Sequence, residues 1–303
     1  MIKKIPLPIA GVMLGAAALG NLLQSYSESI RLLCGIIATI IGIFLLIKCI
    51  AYPALLKEDM TNPITASVSG TFPMALMLLA GYAKPFIGNS AIYIWYAAIV
   101  LHVILIIYFT VHFVFKLDIK KVFASYFIVY VGITVASVSA PVFDKQGIGM
   151  ACFWFGFISF ILLVLLVTYR YVKYKEIPEP ARPLFCIYAA PLSLCLAGYI
   201  QSVMPKSQEM VIGMAMVASL LYIMVLIKIP QYLKLKFYPS YAAFTFPLVI
   251  SAIAIKMTMV FLTNVGNPVP ALLYLVVFET IIATVFVIYA LIRFLLAITN
   301  VKK

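Results

Sequence analysis

Phe246-Pro247-Leu248 heads a long apolar run, and the same word recurs as Leu7-Pro8-Ile9, Phe72-Pro73-Met74 and Ala190-Pro191-Leu192. A fifth copy, Tyr130-Val131-Gly132, has glycine in place of proline. Counted from Pro8 through Pro73, Gly132 and Pro191 to Pro247, the intervals are 65, 59, 59 and 56 residues. Each interval holds two helices of about 20 residues, the length that crosses a bilayer, with their connections. The repeat therefore predicts ten transmembrane helices as five helical hairpins. Their spans fall near 6–24, 30–52, 64–83, 91–115, 122–141, 148–172, 183–203, 208–229, 240–262 and 269–298. A proline within a helix frees a carbonyl and bends the rod. Bends at five matching places predict an inner ring of five kinked helices around a common axis, which is the outline of a pore.

Composition names the solvent. With 65% hydrophobic residues, 10% charged residues and a mean hydropathy of +1.15, the chain lacks the polar surface of a water-soluble domain. Segments 32–47 and 153–167 are apolar on every face, whereas helices of a soluble core are amphipathic. The reading is an all-α integral membrane protein, with residues 1–303 forming a single transmembrane channel or transporter domain. Lys3 and Lys4 before an apolar run also resemble a signal peptide. Pro6 and Pro8 interrupt that run, however, and it forms the first half of the first hairpin, so it is read as a retained span.

Orientation follows from the basic residues. Of the 22 Lys and Arg, Arg31, Lys84, Lys145 and Lys206 fall on one side and Lys256 lies inside a span, leaving 17 on the side of the N-terminus. The positive-inside bias places both termini in the cytoplasm of a multi-pass protein of the cell membrane, of the bacterial or archaeal inner-membrane type. The net charge of +13 is spread over every cytoplasmic loop with no aromatic interleaving, so lipid headgroups rather than nucleic acid are its partners.

The chain carries no phosphate-binding loop, no paired-histidine helix and no nucleophile elbow, so it reads as neither an enzyme nor an ATP-driven pump. Cys34, Cys49, Cys152, Cys186 and Cys195 lie in apolar spans without metal-ligand spacing. His102 and His112 are ten residues apart on one span, too far for a two-histidine metal site, and read as packing or pore-neighbour residues. No cofactor or metal is expected. Glu279 is the one deep carboxylate and Lys256 lies at a similar depth, so the two are read as an intramembrane ion pair, with a proton relay through Glu279 as the other reading. The odd helices otherwise offer small hydroxyls, Ser67, Ser69, Thr71, Thr134, Ser137 and Ser193, as pore lining, which predicts a tube sparse in fixed charge.

Several short motifs point the same way. They are Pro6-Leu7-Pro8 with Gly11 and Gly15, Asn62-Pro63, Ser125-Tyr126-Phe127, and Tyr238-Pro239 followed by Ala243-Phe244-Thr245-Phe246. Together with the five kinked odd helices, they make the chain resemble, over essentially its whole length, the tellurite-resistance/dicarboxylate transporter (TDT) family, to which the plant guard-cell slow anion channels are related. The resemblance implies a homotrimer in which each subunit has its own pore, built from the five odd helices and surrounded by the five even ones. It also implies a phenylalanine across the pore on the ninth helix, and the matching position is Phe246. Phe244, two residues earlier, points to another face and is the weaker plug, although it too could line the pore. The chain departs from the family at Tyr130-Val131-Gly132, which leaves open whether the fifth helix bends as far and whether Tyr130 alters the pore width.

The function expected is an anion channel or uniporter for small inorganic or organic anions, gated by Phe246. Anion preference would come from backbone dipoles exposed at the kinks and from the absence of pore carboxylates. The alternative is a secondary carrier, proton-coupled or not, for a dicarboxylate, sulfite or tellurite-type oxyanion. That reading needs binding groups near the midplane, for which Glu279, Lys256 and the two histidines are the candidates.

Overall fold

The computed structural model describes residues 2–299. Among them every regular element is helical. Seven helical stretches are long and apolar enough to cross a membrane: Glu28–Ala51, Pro63–Val114, Gln146–Lys173, Glu179–Ser202, Gln208–Leu233, Pro239–Asn264 and Leu272–Thr299. Ile9–Leu23 and Thr134–Phe143 are shorter apolar helices. The helices used below are α1 (Ile9–Leu23), α2 (Glu28–Ala51), α3 (Pro53–Thr61), α4 (Pro63–Ser69), α5 (Thr71–Ile87), α6 (Ala91–Phe109), α7 (Tyr126–Tyr130), α8 (Thr134–Ser139), α9 (Gln146–Lys173), α10 (Pro191–Ser202), α11 (Gln208–Leu233), α12 (Phe246–Asn264) and α13 (Leu272–Thr299). The short helix α3 has no counterpart in the predicted spans.

Local chemistry sets the ends. Ser27 accepts from the Ile30 amide at the start of α2, Asn62 from the Ile64 amide at the start of α4, and Ser207 from the Met210 amide at the start of α11. Gly88, at φ 60°, closes α5 and divides the 52-residue Pro63–Val114 stretch into α4–α5 and α6. A π-helical turn over Thr110–Val114 ends α6.

Burial separates two sets of helices. Within the apolar window, 89% of Glu179–Ser202 and 67% of Pro239–Asn264 is buried, against 22–28% of the other membrane-length stretches. Nearly all of α1 is buried as well. The less buried helices hide one stripe each; on α2 it is Gly35, Ala38, Ile41, Gly42, Leu45 and Lys48, at helical spacing. Neighbours in sequence pack on one another, α1 on α2, α5 on α6 and α12 on α13, while α1 also lies on α5 and α12. Lys48, near the end of the second predicted span, is buried. Its Nζ donates to the Ile5 carbonyl at 2.8 Å and stands 3.5 Å from Asp59, fastening the end of α2 to the N-terminal segment and to α3.

The kinks differ from the bent rods expected. Pro8 caps α1, Pro73 is in the first turn of α5, and Pro191 and Pro247 occupy the first and second positions of α10 and α12. In the first turn of a helix the missing N–H costs no hydrogen bond, so the prolines start helices rather than bend them. The chain entering each is a separate piece: α4 up to Gly70, the 3₁₀ segment Glu179–Ala189, and the 3₁₀ segment Pro239–Phe244. The third copy breaks as well, without proline. Between α7 and α8 the amides of Thr134, Val135 and Ala136 bond three residues back rather than four. A Cβ on Gly132 would lie 2.1 Å from the Ile128 carbonyl oxygen, which explains the glycine there.

Candidate permeation path

The breaks converge on one cavity. It has a volume of about 300 Å³ and an almost wholly apolar wall that includes Pro8, Gly11, Thr71, Met74, Gly132, Pro191, Leu194, Phe246 and Pro247. It runs to the end of the molecule marked by Asn62, Pro178 and Pro239. No charged side chain stands on its wall. Four helices of 12 residues or more, α1, α5, α10 and α12, begin at this cavity, so the positive ends of four helix dipoles surround it.

A second cavity, of about 980 Å³, occupies the opposite end. From Phe246, Leu194, Val135, Ile250 and Ile253 it widens to Gln201, Asn264, Arg31, Lys206 and Lys256. Three cations and no carboxylate line it. Arg31 is held over the Tyr82 ring at 4.4 Å and is paired with Glu28, which offsets part of its charge. Lys256 donates to the Leu22 carbonyl at 3.0 Å and to Ser25 Oγ at 2.6 Å. Leu194 and Phe246 are the side chains common to both cavities among the described residues.

Several predicted lining residues lie elsewhere. Pro73 is off the wall, although its neighbours Thr71 and Met74 are on it. Thr71 is the only one of the predicted hydroxyl residues on either wall, and even its Oγ1 donates to the Val68 carbonyl at 2.7 Å. Ser67 and Ser69 donate to the carbonyls of Ile64 and Ala66, Ser193 to that of Ala189, and Ser137 to that of Gly198. Thr134 is fully buried against α9, where its Oγ1 would meet a Cβ on Gly156 at 2.0 Å. Thr134 Oγ1 has no hydrogen-bond partner, whereas for Ser67, Ser69, Thr71, Ser137 and Ser193 the physical reason is shared: in an apolar interior a carbonyl one turn back, or on the next helix, is the nearest acceptor. Tyr130 turns outward, sharing a 2.8 Å hydrogen bond with Thr110 and meeting the Phe109 ring edge-on. Phe244 faces away from both cavities, its ring 4.9 Å from Tyr241 and 5.8 Å from Phe286.

The expected ion pair is absent. Lys256 faces the second cavity, while both Glu279 oxygens are buried without a hydrogen-bond partner. Position along the chain suggested equal depth, but α12 turns Lys256 toward α1 instead of α13. His102 Nε2 bonds to the Val129 carbonyl at 2.9 Å, satisfying a group freed by the break at Gly132. His112 Nδ1 bonds to the Tyr108 carbonyl at 2.9 Å. All five cysteines are free thiols.

Leu194 and Val135 were not singled out by any motif. A signal was nonetheless present: Gly11, Val135, Leu194 and Ile250 each lie three residues after a break residue, one helical turn deeper on the same face.

Long apolar helices broken around two cavities that meet end to end define a multi-pass membrane protein of the channel and transporter class. Residues 4–295 match the SLAC1 family, described as voltage-dependent anion channel, and the chain belongs to that family. Members of this family are channels or transporters of anions, not enzymes. No curated protein sequence matches the chain at a significant level.

Proposed function

We propose that the protein is an anion channel or uniporter whose path runs through each subunit and is gated at Phe246. The observation that carries this reading is the shared wall: Phe246 from α12 and Leu194 from α10 stand between the apolar cavity and the cationic one. A bulky ring beside a helix break closes an apolar constriction when seated and opens it when rotated. Selectivity for anions has two sources, the four helix N-termini around the first cavity and the cations Lys256, Lys206 and Arg31 around the second. Neither cavity carries a carboxylate to attract cations. The physiological ions are small inorganic or organic anions.

In the same reading the chain crosses the membrane ten times as five hairpins with both termini in the cytoplasm. The apolar cavity then opens inward and the cationic cavity outward. Both cavities lie among the helices of a single chain, and the family resemblance implies a homotrimer of such independent pores. A carrier mechanism would place ionisable or polar binding groups at the junction of the cavities. Glu279, His102 and His112 lie off both walls, and Lys256 stands beyond the junction in the wider cavity. Bi-ionic reversal potentials of the purified protein in planar bilayers test the reading. Anion-selective, non-saturating current is the expected result; cation selectivity, or saturable flux that depends on a proton gradient, would overturn it.

A further inference from the structure

Glu279 is the only fully buried carboxylate among the described residues, and the permeation path does not use it. It lies on α13 about two turns from the helix start. Neither oxygen has a hydrogen-bond partner and no salt bridge reaches it. Two hydroxyl residues lie in its surroundings: Tyr222 of α11, 1% exposed and also without a partner, and Ser251 of α12, equally buried. The other elements on α13 bring no charge to it. Helix α1 has no ionisable residue, and Tyr241, in the 3₁₀ segment before α12, stacks with Arg293. Arg293 itself is about four turns further along α13, and Lys256 of α12 is tied to Leu22 and Ser25.

An ionised carboxylate enclosed in this way, with no cation and no donor seated on it, carries a desolvation cost of several kcal/mol. The neutral acid has no such cost, and it matches its neighbours chemically: a carboxyl group donates once and accepts at its carbonyl, and each hydroxyl can do either. We propose that Glu279, with Tyr222 and Ser251, forms an intramembrane proton-binding site, occupied at neutral pH, whose discharge weakens the seat of α12 on α13. Ser251 is five residues beyond Phe246 on the face of α12 turned away from both cavities, so the site lies behind the helix that carries Phe246 rather than on the ion's route. A proton bound there modulates flux without being transported along with the anion.

The proton itself can be observed independently of transport. Infrared spectra of the full-length protein in lipid at pH 7 should show the carbonyl stretch of one protonated carboxylic acid per chain. That band should be absent in Glu279→Gln and shifted in Tyr222→Phe. As pH is raised the band should titrate away, and anion flux into liposomes should change in parallel in the wild type but not in Glu279→Gln, which mimics the occupied state. No protonated-acid band in folded wild-type protein would overturn the proposal, as would a band that survives in Glu279→Gln or a flux titration identical in the two proteins. The effect on flux rests on Phe246 being the gate, whereas the band does not. A band that responds as stated while Phe246→Ala leaves flux unchanged would place the failure in the gate reading alone.

Discussion

Thr245 Oγ1 donates both to the Gly11 carbonyl, at 2.8 Å, and to the Ala242 carbonyl, at 2.7 Å, so the residue immediately before Phe246 is fastened to α1 across 234 positions of sequence. The chain breaks there: Thr245 has φ −94° and ψ −93°, and α12 starts at the next residue. The helices approach closely at this point, since a Cβ on Gly15 would lie 2.5 Å from Thr245 Cβ. The backbone that carries Phe246 is thereby held by a contact between α1 and the break. Thr245→Val should cost about 1 kcal/mol of stability, the worth of one such bond. It should also raise resting anion conductance, because the backbone that carries the ring loses its anchor. Melting in detergent and single-channel recording check the two effects.

Phe246→Ala removes the bulkier of the two side chains shared by the cavities without adding charge. Conductance should rise about tenfold or more, equivalent to removing about 1.4 kcal/mol of barrier, and the preference for anions over cations should persist. Leu194→Ala should act in the same direction and more weakly. A folded Phe246→Ala protein with unchanged current would rule out the gate.

Phe244→Ala separates the gate from the packed core. Its ring is fully buried against Tyr241 and Phe286, away from both cavities. The substitution should cost about 3–5 kcal/mol through the cavity it leaves, with no gain in conductance per folded channel. Thermal stability and current measured on the same preparation are sufficient to tell the two phenylalanines apart.

Lys256 faces the wide cationic cavity, so Lys256→Gln should lower anion conductance about two- to fivefold at low ionic strength. Little effect should remain near 1 M salt, where the screening length is about 3 Å. Since Lys256 and Glu279 are not partners, the stability effects of Lys256→Gln and Glu279→Gln should add, with no rescue in the double variant. Rescue would restore the ion pair read from the sequence.

Single cysteines at Lys57, Lys120, Lys175 and Lys236 should be labelled only from the cytoplasm, and those at Lys84, Lys145 and Lys206 only from outside. The detergent-solubilised protein should have the mass of three chains. A site labelled from the wrong face would remove a span, and a stable monomer in several mild detergents would exclude the trimer.

The sequence by itself determined the solvent, the apolar segments and the places where they break. These are local matters: hydropathy is a property of a run of residues, and a proline disturbs the helix at its own position, here at the starts marked by Pro8, Pro73, Pro191 and Pro247. Even the break at Gly132 was legible as the fifth copy of a spacing, although whether that copy bends was not, because glycine permits a break without imposing one. Facing could not be read this way. An almost uniformly apolar helix has no polar side to orient it, so the sequence carries little record of which residues meet the path. Helix rotation, set by distant contacts such as Thr245 with Gly11, put Phe246 and Leu194 on both cavity walls and Phe244 in the core. It also turned Lys256 away from Glu279. The hydroxyls of Ser193 and Ser137 were assigned to the lumen from their place on the odd helices, but the tertiary structure gave them backbone carbonyls instead, because a buried hydroxyl that can reach a carbonyl one turn back or on the next helix bonds to it.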